Sequence, residues 1–179
     1  MKIVTDSSVM FTIEQGAARG IEVLPLSVSI DGRAWAEYEE MSADAFLDLI
    51  RGGQMPTSSS PSPEATLSAY DTDEEVLHLT MAAGLSGTYE VECGLKAQAR
   101  HPERVSVVNS KTLCVPQRAL ALCAAELAKC RSTVSEVLSE LQPLIDSAHS
   151  YLLPEDFDYL RRGGRLTPLA AKVVHLVRA

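Results

Sequence analysis

Short apolar runs alternate along the chain with segments of helical spacing, and that alternation sets the expected architecture. Lys2 to Thr5 is a short apolar strand closed by Asp6-Ser7-Ser8, and Val9 to Arg19 follows as a helix, giving a first βα unit. Glu22 to Ile30 carries alternating and branched apolar residues before an Asp31-Gly32 turn, which predicts a second extended region. Ser42 is placed to cap a helix, with Met41 and Phe46 spaced as a hydrophobic staple across it. Leu47, Leu49 and Ile50 supply the apolar positions, and Gly52-Gly53 ends the helix.

Val76 to Met81 is apolar enough for a buried strand. A helix from Ser86 to Arg100 follows it, with Pro102 beyond its end, and then a strand at Val105 to Val108. Two further helices are predicted, Pro116 to Cys130 and Val134 to Ile145. The second places Val134, Val137, Leu138, Leu141 and Ile145 on one face, and Thr133 with Glu136 forms a capping box at its start. Repeated βα units with strands this apolar imply an α/β fold with a mainly parallel sheet covered by helices on both faces. Ligands in such sheets bind beyond the carboxyl ends of the strands.

That edge should gather Thr5-Asp6-Ser7-Ser8, Gly84-Leu85-Ser86-Gly87-Thr88-Tyr89 and Asn109-Ser110-Lys111-Thr112. A fourth segment, Pro56 to Pro63, is dense in hydroxyls and stiffened by prolines. Ser86-Gly87-Thr88 sits where a strand meets a helix, so hydroxyls and free backbone N–H groups can face a carboxylate or phosphate while Gly87 permits close approach. The same residues also suit a plain helix cap, as do Asp6 and Ser7, and the serine-rich loop also suits a surface linker. These alternatives stay open at the level of single motifs.

Composition narrows the partners. The 179 residues, 46% hydrophobic, suffice for one domain or one domain plus part of another. A net charge of -8 disfavours nucleic acid, because no basic stripe is available for phosphates. Charge is uneven, however: Arg161, Arg162, Arg165, Lys172 and Arg178 follow Asp158 with no acidic residue between them, and an anion site should draw on that end. The N-terminus reads as a strand rather than a secretory leader, and no apolar run is long enough to span a bilayer, so stable membrane insertion is not expected. Cys93, Cys114, Cys123 and Cys130 show neither zinc spacing nor a disulfide framework, which fits a reduced cytoplasm. Cys123 and Cys130, seven apart, read as small hydrophobes on one helix face.

Taken together, Lys2-Ile3-Val4-Thr5-Asp6-Ser7-Ser8, Pro56 to Pro63, Leu85-Ser86-Gly87-Thr88-Tyr89, Val107-Val108-Asn109-Ser110-Lys111 and Tyr159-Leu160-Arg161-Arg162-Gly163-Gly164-Arg165 occur in the order and spacing of one family over essentially the whole chain. The chain resembles the DegV family, bacterial fatty-acid-binding proteins that present a bound acyl chain to a separate fatty acid kinase for acyl phosphate formation in phospholipid synthesis. The resemblance implies a lipid-binding protein that acts as substrate carrier, without a catalytic residue, metal or cofactor of its own. It implies that Ser58 and Ser86 bind the fatty-acid carboxylate, with Asp6, Ser7, Gly87, Thr88 and Arg165 supporting the head group or facing the kinase.

The sequence departs from the family pattern at several of these positions. Ser58 stands where the family uses Thr, Ser60 replaces Gln, and Asn109 replaces Asp. Glu90-Val91-Glu92 stand where small polar residues are usual, and His175 does not occupy the family's later histidine motif. The resemblance divides the chain into a DegV-like α/β domain at 1–148 and the beginning of a second domain at 149–179. Members of the family continue well past the Gly-Gly-Arg motif, so a chain ending at Ala179 is expected to hold a long acyl tail only weakly.

Other functions fit the residues less well. A serine acyl hydrolase would need glycine where Thr88 stands and a histidine in a recognisable triad motif. A phosphoryl-transfer enzyme would need a Walker loop or clustered acids. A generic module for a small carboxylate or phosphate needs only the same loops.

Overall fold

The computed structural model describes residues 1–151, 153 and 157–165. Lys172, Arg178, His175 and most of the expected second-domain segment 149–179 lie outside these residues.

Four strands, β1 (Lys2–Asp6), β2 (Ile21–Leu24), β6 (Val76–Thr80) and β7 (Val105–Asn109), form a wholly parallel sheet in the order β2-β1-β6-β7. Each is short and rich in branched apolar residues, and β6 is buried at all five positions. A strand enclosed on both faces has no need of polar alternation, which is why Val76-Leu77-His78-Leu79-Thr80 reads as a nearly continuous apolar run.

Side chains leave the sheet alternately to its two faces. Ile3, Leu77 and Leu79 meet Leu120, Ala121 and Ala124 of α5 (Cys114–Ala128) and Val137, Leu141 and Ile145 of α6 (Val134–Ser147). Val4, Val76 and Val105 turn the other way, toward Ala69 and Tyr70 of α3 (Pro63–Tyr70), beside which α4 (Thr88–Lys96) packs. The fold is therefore α/β, a mainly parallel sheet with helices on both faces.

A second, antiparallel sheet of three strands stands beside it in the order β4-β3-β5, built from β3 (Ser27–Ile30), β4 (Arg33–Ala36) and β5 (Thr57–Ser59). The expected single extended region from Glu22 to Ile30 is thus two strands. Pro25 lies in the break between them and offers no N–H to a ladder, and the chain passes there from one sheet to the other. Asp31 (φ 50°) and Gly32 (φ 80°) close the β3–β4 hairpin, both in the left-handed conformation that a tight two-residue turn requires. Between β4 and β5 lies α2 (Ala43–Arg51), capped by Ser42, whose side chain accepts from the Ala45 N–H.

Four other expectations are corrected. The helix expected from Val9 to Arg19 is a 3-10 turn at Ser7–Val9 followed by the short α1 (Ile13–Ala17). Met10 turns left-handed (φ 61°) between them, and the Thr12–Gln15 capping box starts the helix afresh. The hydroxyl-rich loop after Pro56 is not a linker, because Thr57-Ser58-Ser59 pairs along β3. The helix expected from Ser86 starts at Thr88 instead, with Gly87 in the cap position. Cys123 packs against the core as read, but Cys130 lies past the end of α5 and is exposed.

Gly16 of α1 is held close against β2. A Cβ there would come within 2.5 Å of Val23 Cγ2 and 2.8 Å of the Ile21 carbonyl, so no larger residue fits.

Candidate functional site

The two sheets and the segment after α6 enclose a cavity of about 400 Å³ at the carboxyl edge of the parallel strands. The parallel side contributes Met81, Leu85 and Ser86, and the antiparallel side Leu26, Val28 and Ser58, with Phe46 from α2. Tyr159, Leu160, Gly163 and Arg165 close it from α7 (Phe157–Arg162) and the turn that follows. Most of the wall is apolar. Its polar groups include the Ser58 and Ser86 hydroxyls, Thr57, Ser59, Glu37 and the Arg165 guanidinium.

Three of the candidate residues, Ser58, Ser86 and Arg165, thus line one space although they lie up to 107 positions apart. Arg165 Nη2 reaches to 3.5 Å of Ser58 Oγ, and its Nη1 donates to the Gly163 carbonyl at 2.9 Å. The left-handed Gly164 (φ 76°) turns the chain so that the Arg165 N–H returns to the Leu160 carbonyl, which aims the guanidinium at β5.

Ser86 is held from behind. Its Oγ accepts from the Thr88 N–H at 3.2 Å and lies 2.8 Å from Thr88 Oγ1, while Ser60 Oγ donates to Thr88 Oγ1 at 3.4 Å. Thr88 is fully buried and Gly87 exposed. The hydroxyls can therefore run in one direction, Ser60 to Thr88 to Ser86, leaving the Ser86 proton for a group in the cavity. Donors ordered in a chain polarise one another.

Asp6 and Ser7 do not line the cavity. Both are buried beneath it and committed to internal bonds. Asp6 Oδ2 accepts from the Met81 N–H at 2.7 Å, and Oδ1 accepts from the Ser8 N–H at 3.1 Å, from the Ser8 hydroxyl and from Gln117 Nε2 at 3.3 Å. Asp6 thereby ties the end of β1 to the segment that leads toward Ser86. Burial raises its carboxyl above the ordinary value, and these hydrogen bonds oppose the rise. Ser7 Oγ accepts from the Leu26 N–H at 2.9 Å and donates to Glu37 Oε2 at 2.7 Å. Asn109, where the resemblance leads to the expectation of Asp, accepts from the Ala83 and Lys111 N–H groups at 3.2 and 2.9 Å, a task for which an amide oxygen suffices.

Glu37 was not foreseen. Its carboxyl is raised chiefly by burial, with the Asp6 charge adding and the Ser7 bond opposing. Together with Val28 and Phe46 it separates the main cavity from a second one of about 200 Å³, walled by Trp35, Tyr38, Met41 and Ala43 among others. The sequence offers no signal for this, since Glu37 sits in a run of acidic and aromatic residues just past β4 and is held inward by the Ser7 hydroxyl.

Glu92 faces away from the cavity. It is buried between α3 and β6, so an acid at that position does not confront an anion held by Ser86. Among the described residues no histidine lines the cavity: His78 is buried on the α3/α4 face, and His101 lies near Asp73 and Glu103. Among the described residues a serine nucleophile would have no imidazole base there, whereas hydroxyl donors with a guanidinium suit an oxyanion at rest.

The family described as "Uncharacterised protein, DegV family" matches residues 1–178. A DegV domain-containing protein of Listeria innocua is 30% identical over 182 residues, covering 98% of this chain and 64% of its own length. One from Streptomyces coelicolor is also 30% identical, covering 92% and 59%. The chain thus spans less than two thirds of the length of these relatives. Among solved structures, a DegV family protein from Thermus thermophilus, described by its fatty acid binding, superposes with a TM-score of 0.81 at 30% identity, covering 95% of this chain and 62% of that one. DegV of Bacillus subtilis, described as a fatty acid binding protein, gives 0.84 at 25% identity and covers 96% and 63%. A Ruminococcus gnavus protein solved with vaccenic acid gives 0.82 at 29% identity, covering 93% and 62%.

Proposed function

The chain belongs to the DegV family, and from that membership we propose that it binds a long-chain fatty acid by its carboxylate and carries it as substrate to a separate fatty acid kinase in the cytoplasm. The observation that supports this best is the convergence of Ser58, Ser86 and Arg165 on one cavity whose remaining wall is mostly apolar. In this reading Ser86 and Ser58 donate to the carboxylate and Arg165 balances its charge, or that of the acyl phosphate. Thr88 and Gly87 shape the turn, and Asp6 and Ser7 brace the strand ends beneath it. No residue of the chain performs chemistry; the kinase supplies it.

Head and tail have separate tasks. Each buried CH2 contributes about 0.8 kcal/mol, so a long chain supplies on the order of 10 kcal/mol before ordering costs, several times what two or three head-group hydrogen bonds add. The apolar wall therefore sets affinity and the hydroxyls set orientation. Of the segment 149–179, read here as the beginning of a second domain, Tyr159, Leu160, Gly163 and Arg165 contribute to the wall.

Native mass spectrometry of protein purified from bacterial cytosol tests the reading. A co-purified long-chain fatty acid is expected, at less than one per chain because the tail is held weakly. A bound phosphate or short carboxylate with no acyl chain, or esterase turnover, would replace it with one of the other functions.

A further inference from the structure

On the α3/α4 side of the parallel sheet, four polar side chains are sealed from water. Tyr70 ends α3, Thr66 precedes it by one turn, His78 stands at the middle of β6, and Glu92 lies in α4; none is more than 1% exposed. Tyr70 Oη is 2.6 Å from His78 Nδ1 and 3.2 Å from Glu92 Oε2, and Thr66 Oγ1 donates to Glu92 Oε1 at 3.3 Å. His78 Nε2 is buried with no hydrogen-bond partner.

The proton count of this cluster is restrictive. Tyr70 has one proton and two close neighbours, so one of its two bonds needs a proton from the other side. If Glu92 supplies it, the chain runs from Glu92 Oε2–H to Tyr70 and from Tyr70 O–H to His78 Nδ1, and every member is neutral. If His78 supplies it from Nδ1, the direction reverses and Glu92 remains as a carboxylate in the interior. Either neutral form leaves Nε2 without a partner among the described residues, as an N–H in the first arrangement and a lone pair in the second; charging His78 as well puts a full positive charge on that buried, unaccepted N–H.

Nothing nearby favours the carboxylate. Facing Glu92 are Thr66 and Tyr70 from α3, His78 from β6 and, through its negative charge, Asp6 from β1; β7 brings no titratable side chain, and Cys93 of α4 lies by Tyr70. Among the described residues His78, at 3.8 Å, is the only basic group within ion-pair distance of Glu92. A carboxylate beside a neutral imidazole is a buried anion with no cation, and the doubly charged pair would face each other at 3.8 Å with the Nε2–H⁺ unaccepted; burial disfavours both.

We propose that Glu92 is a neutral carboxylic acid in the folded protein, and that its proton, carried along Glu92–Tyr70–His78, clamps α4 to α3 and β6 so that rising pH releases the Ser86-Gly87-Thr88 turn. Glu92 stands four residues after Thr88, one helical turn from the start of α4, and so holds the end of the helix that leads into the cavity. Burial acts in the same direction, raising Glu92 to about 7 and lowering His78 to about 3. The clamp does not depend on which ligand the cavity takes.

Carbon-13 NMR of the Glu92 carboxyl, with nitrogen-15 detection of the His78 ring, reads the proton directly. The carboxyl is expected to titrate near neutrality, with His78 Nδ1 unprotonated below that point; a carboxylate already present in mildly acidic solution overturns the proposal. Hydrogen exchange at the amides of Thr88 to Glu92 reads the release. Between the ordinary carboxyl value of 4.5 and the Glu92 midpoint near 7, opening should grow by up to about ten-fold per pH unit beyond hydroxide catalysis, and the excess should level off above the midpoint. Glu92→Gln, whose amide N–H donates to Tyr70 as the acid does, should abolish that excess. An unchanged excess in Glu92→Gln would sink the idea, and if that variant fails to fold the carboxyl titration of the wild-type protein still decides.

Discussion

The two sheets differ more in what they bury than in what they are made of. In the parallel sheet β6 is enclosed at all five positions, and Val137 and Leu141 of α6 are sealed against it. In the antiparallel sheet all three residues of β5 are exposed, and α2, although its apolar residues share one face, contains no buried residue. Stability resides in the first region, while the second is held largely by backbone pairing and leaves its apolar side chains to line cavities. Segments with few buried contacts open most easily, and binding walls are drawn from such segments.

The sharpest way to break this contrast is a pair of truncations. Leu79, fully buried between β1 and α5, should cost about 2–5 kcal/mol when changed to alanine. Phe46 is larger but only half-buried on α2, and Phe46→Ala should cost about 1–2 kcal/mol despite removing more carbon. Denaturant unfolding measures both. Equal costs would mean that the antiparallel sheet belongs to the same cooperative unit as the core. Amide exchange gives the finer view, with α2 and β5 expected to exchange before β6.

A pH series tests whether the core's buried polar groups behave as a set. Glu92 is raised from an ordinary 4.5 to about 7, so the stability it contributes is complete below 4.5 and is lost as pH rises toward 7. His78 is lowered from 6.5 to about 3, so its contribution is complete above 6.5 and is lost as pH falls toward 3. Between 4.5 and 6.5 the two slopes oppose each other, and folding in effect moves a proton from His78 to Glu92. Asp6 and Glu37, also raised by burial, add to the loss on the alkaline side. Glu92→Gln should therefore become more stable relative to wild type as pH rises through this window. A difference that stays constant with pH would show that Glu92 does not hold the proton. Thermal unfolding of both proteins supplies the measurement.

What the sequence shows follows the same division. Strands β1, β6 and β7 and helices α5 and α6 are legible because burial on the parallel side imposes apolar runs and helical spacing, and the Thr133–Glu136 box forms as the pattern predicts. β5 escapes such a reading because Thr57-Ser58-Ser59 has no apolar alternation and pairs through its backbone alone. α3 was available in principle, from Ser62 as cap and Pro63 at the first turn, but the prolines around it read more readily as loop. Of the candidate site, Ser58, Ser86 and Arg165 are named by motif resemblance and share one cavity, whereas Glu37 and the Tyr70–His78–Glu92 chain have no local signature. Tyr70, His78 and Glu92 lie up to 22 positions apart and meet only through packing.

The smallest expected effect concerns the cavity itself, where each region supplies one serine. Ser86 belongs to the rigid side: its oxygen is already fixed by the Thr88 N–H and hydroxyl, so its proton is directed before any ligand arrives. A hydrogen bond from such a donor to a carboxylate contributes about 1.5–3 kcal/mol, and Ser86→Ala should weaken oleate binding roughly ten- to hundred-fold with little loss of folding stability. Ser58 belongs to the exposed β5, and among the described residues its hydroxyl meets Arg165 at 3.5 Å and no other side chain. It must be ordered by the ligand, and that entropy cost cancels part of the gain. Ser58→Ala should therefore weaken binding by no more than about 1 kcal/mol, a few-fold. Isothermal titration of the two variants ranks them. If Ser58→Ala lost more affinity than Ser86→Ala, the carboxylate would be held chiefly by the antiparallel sheet, and the division of labour between a rigid anchor and an adaptable wall would be reversed.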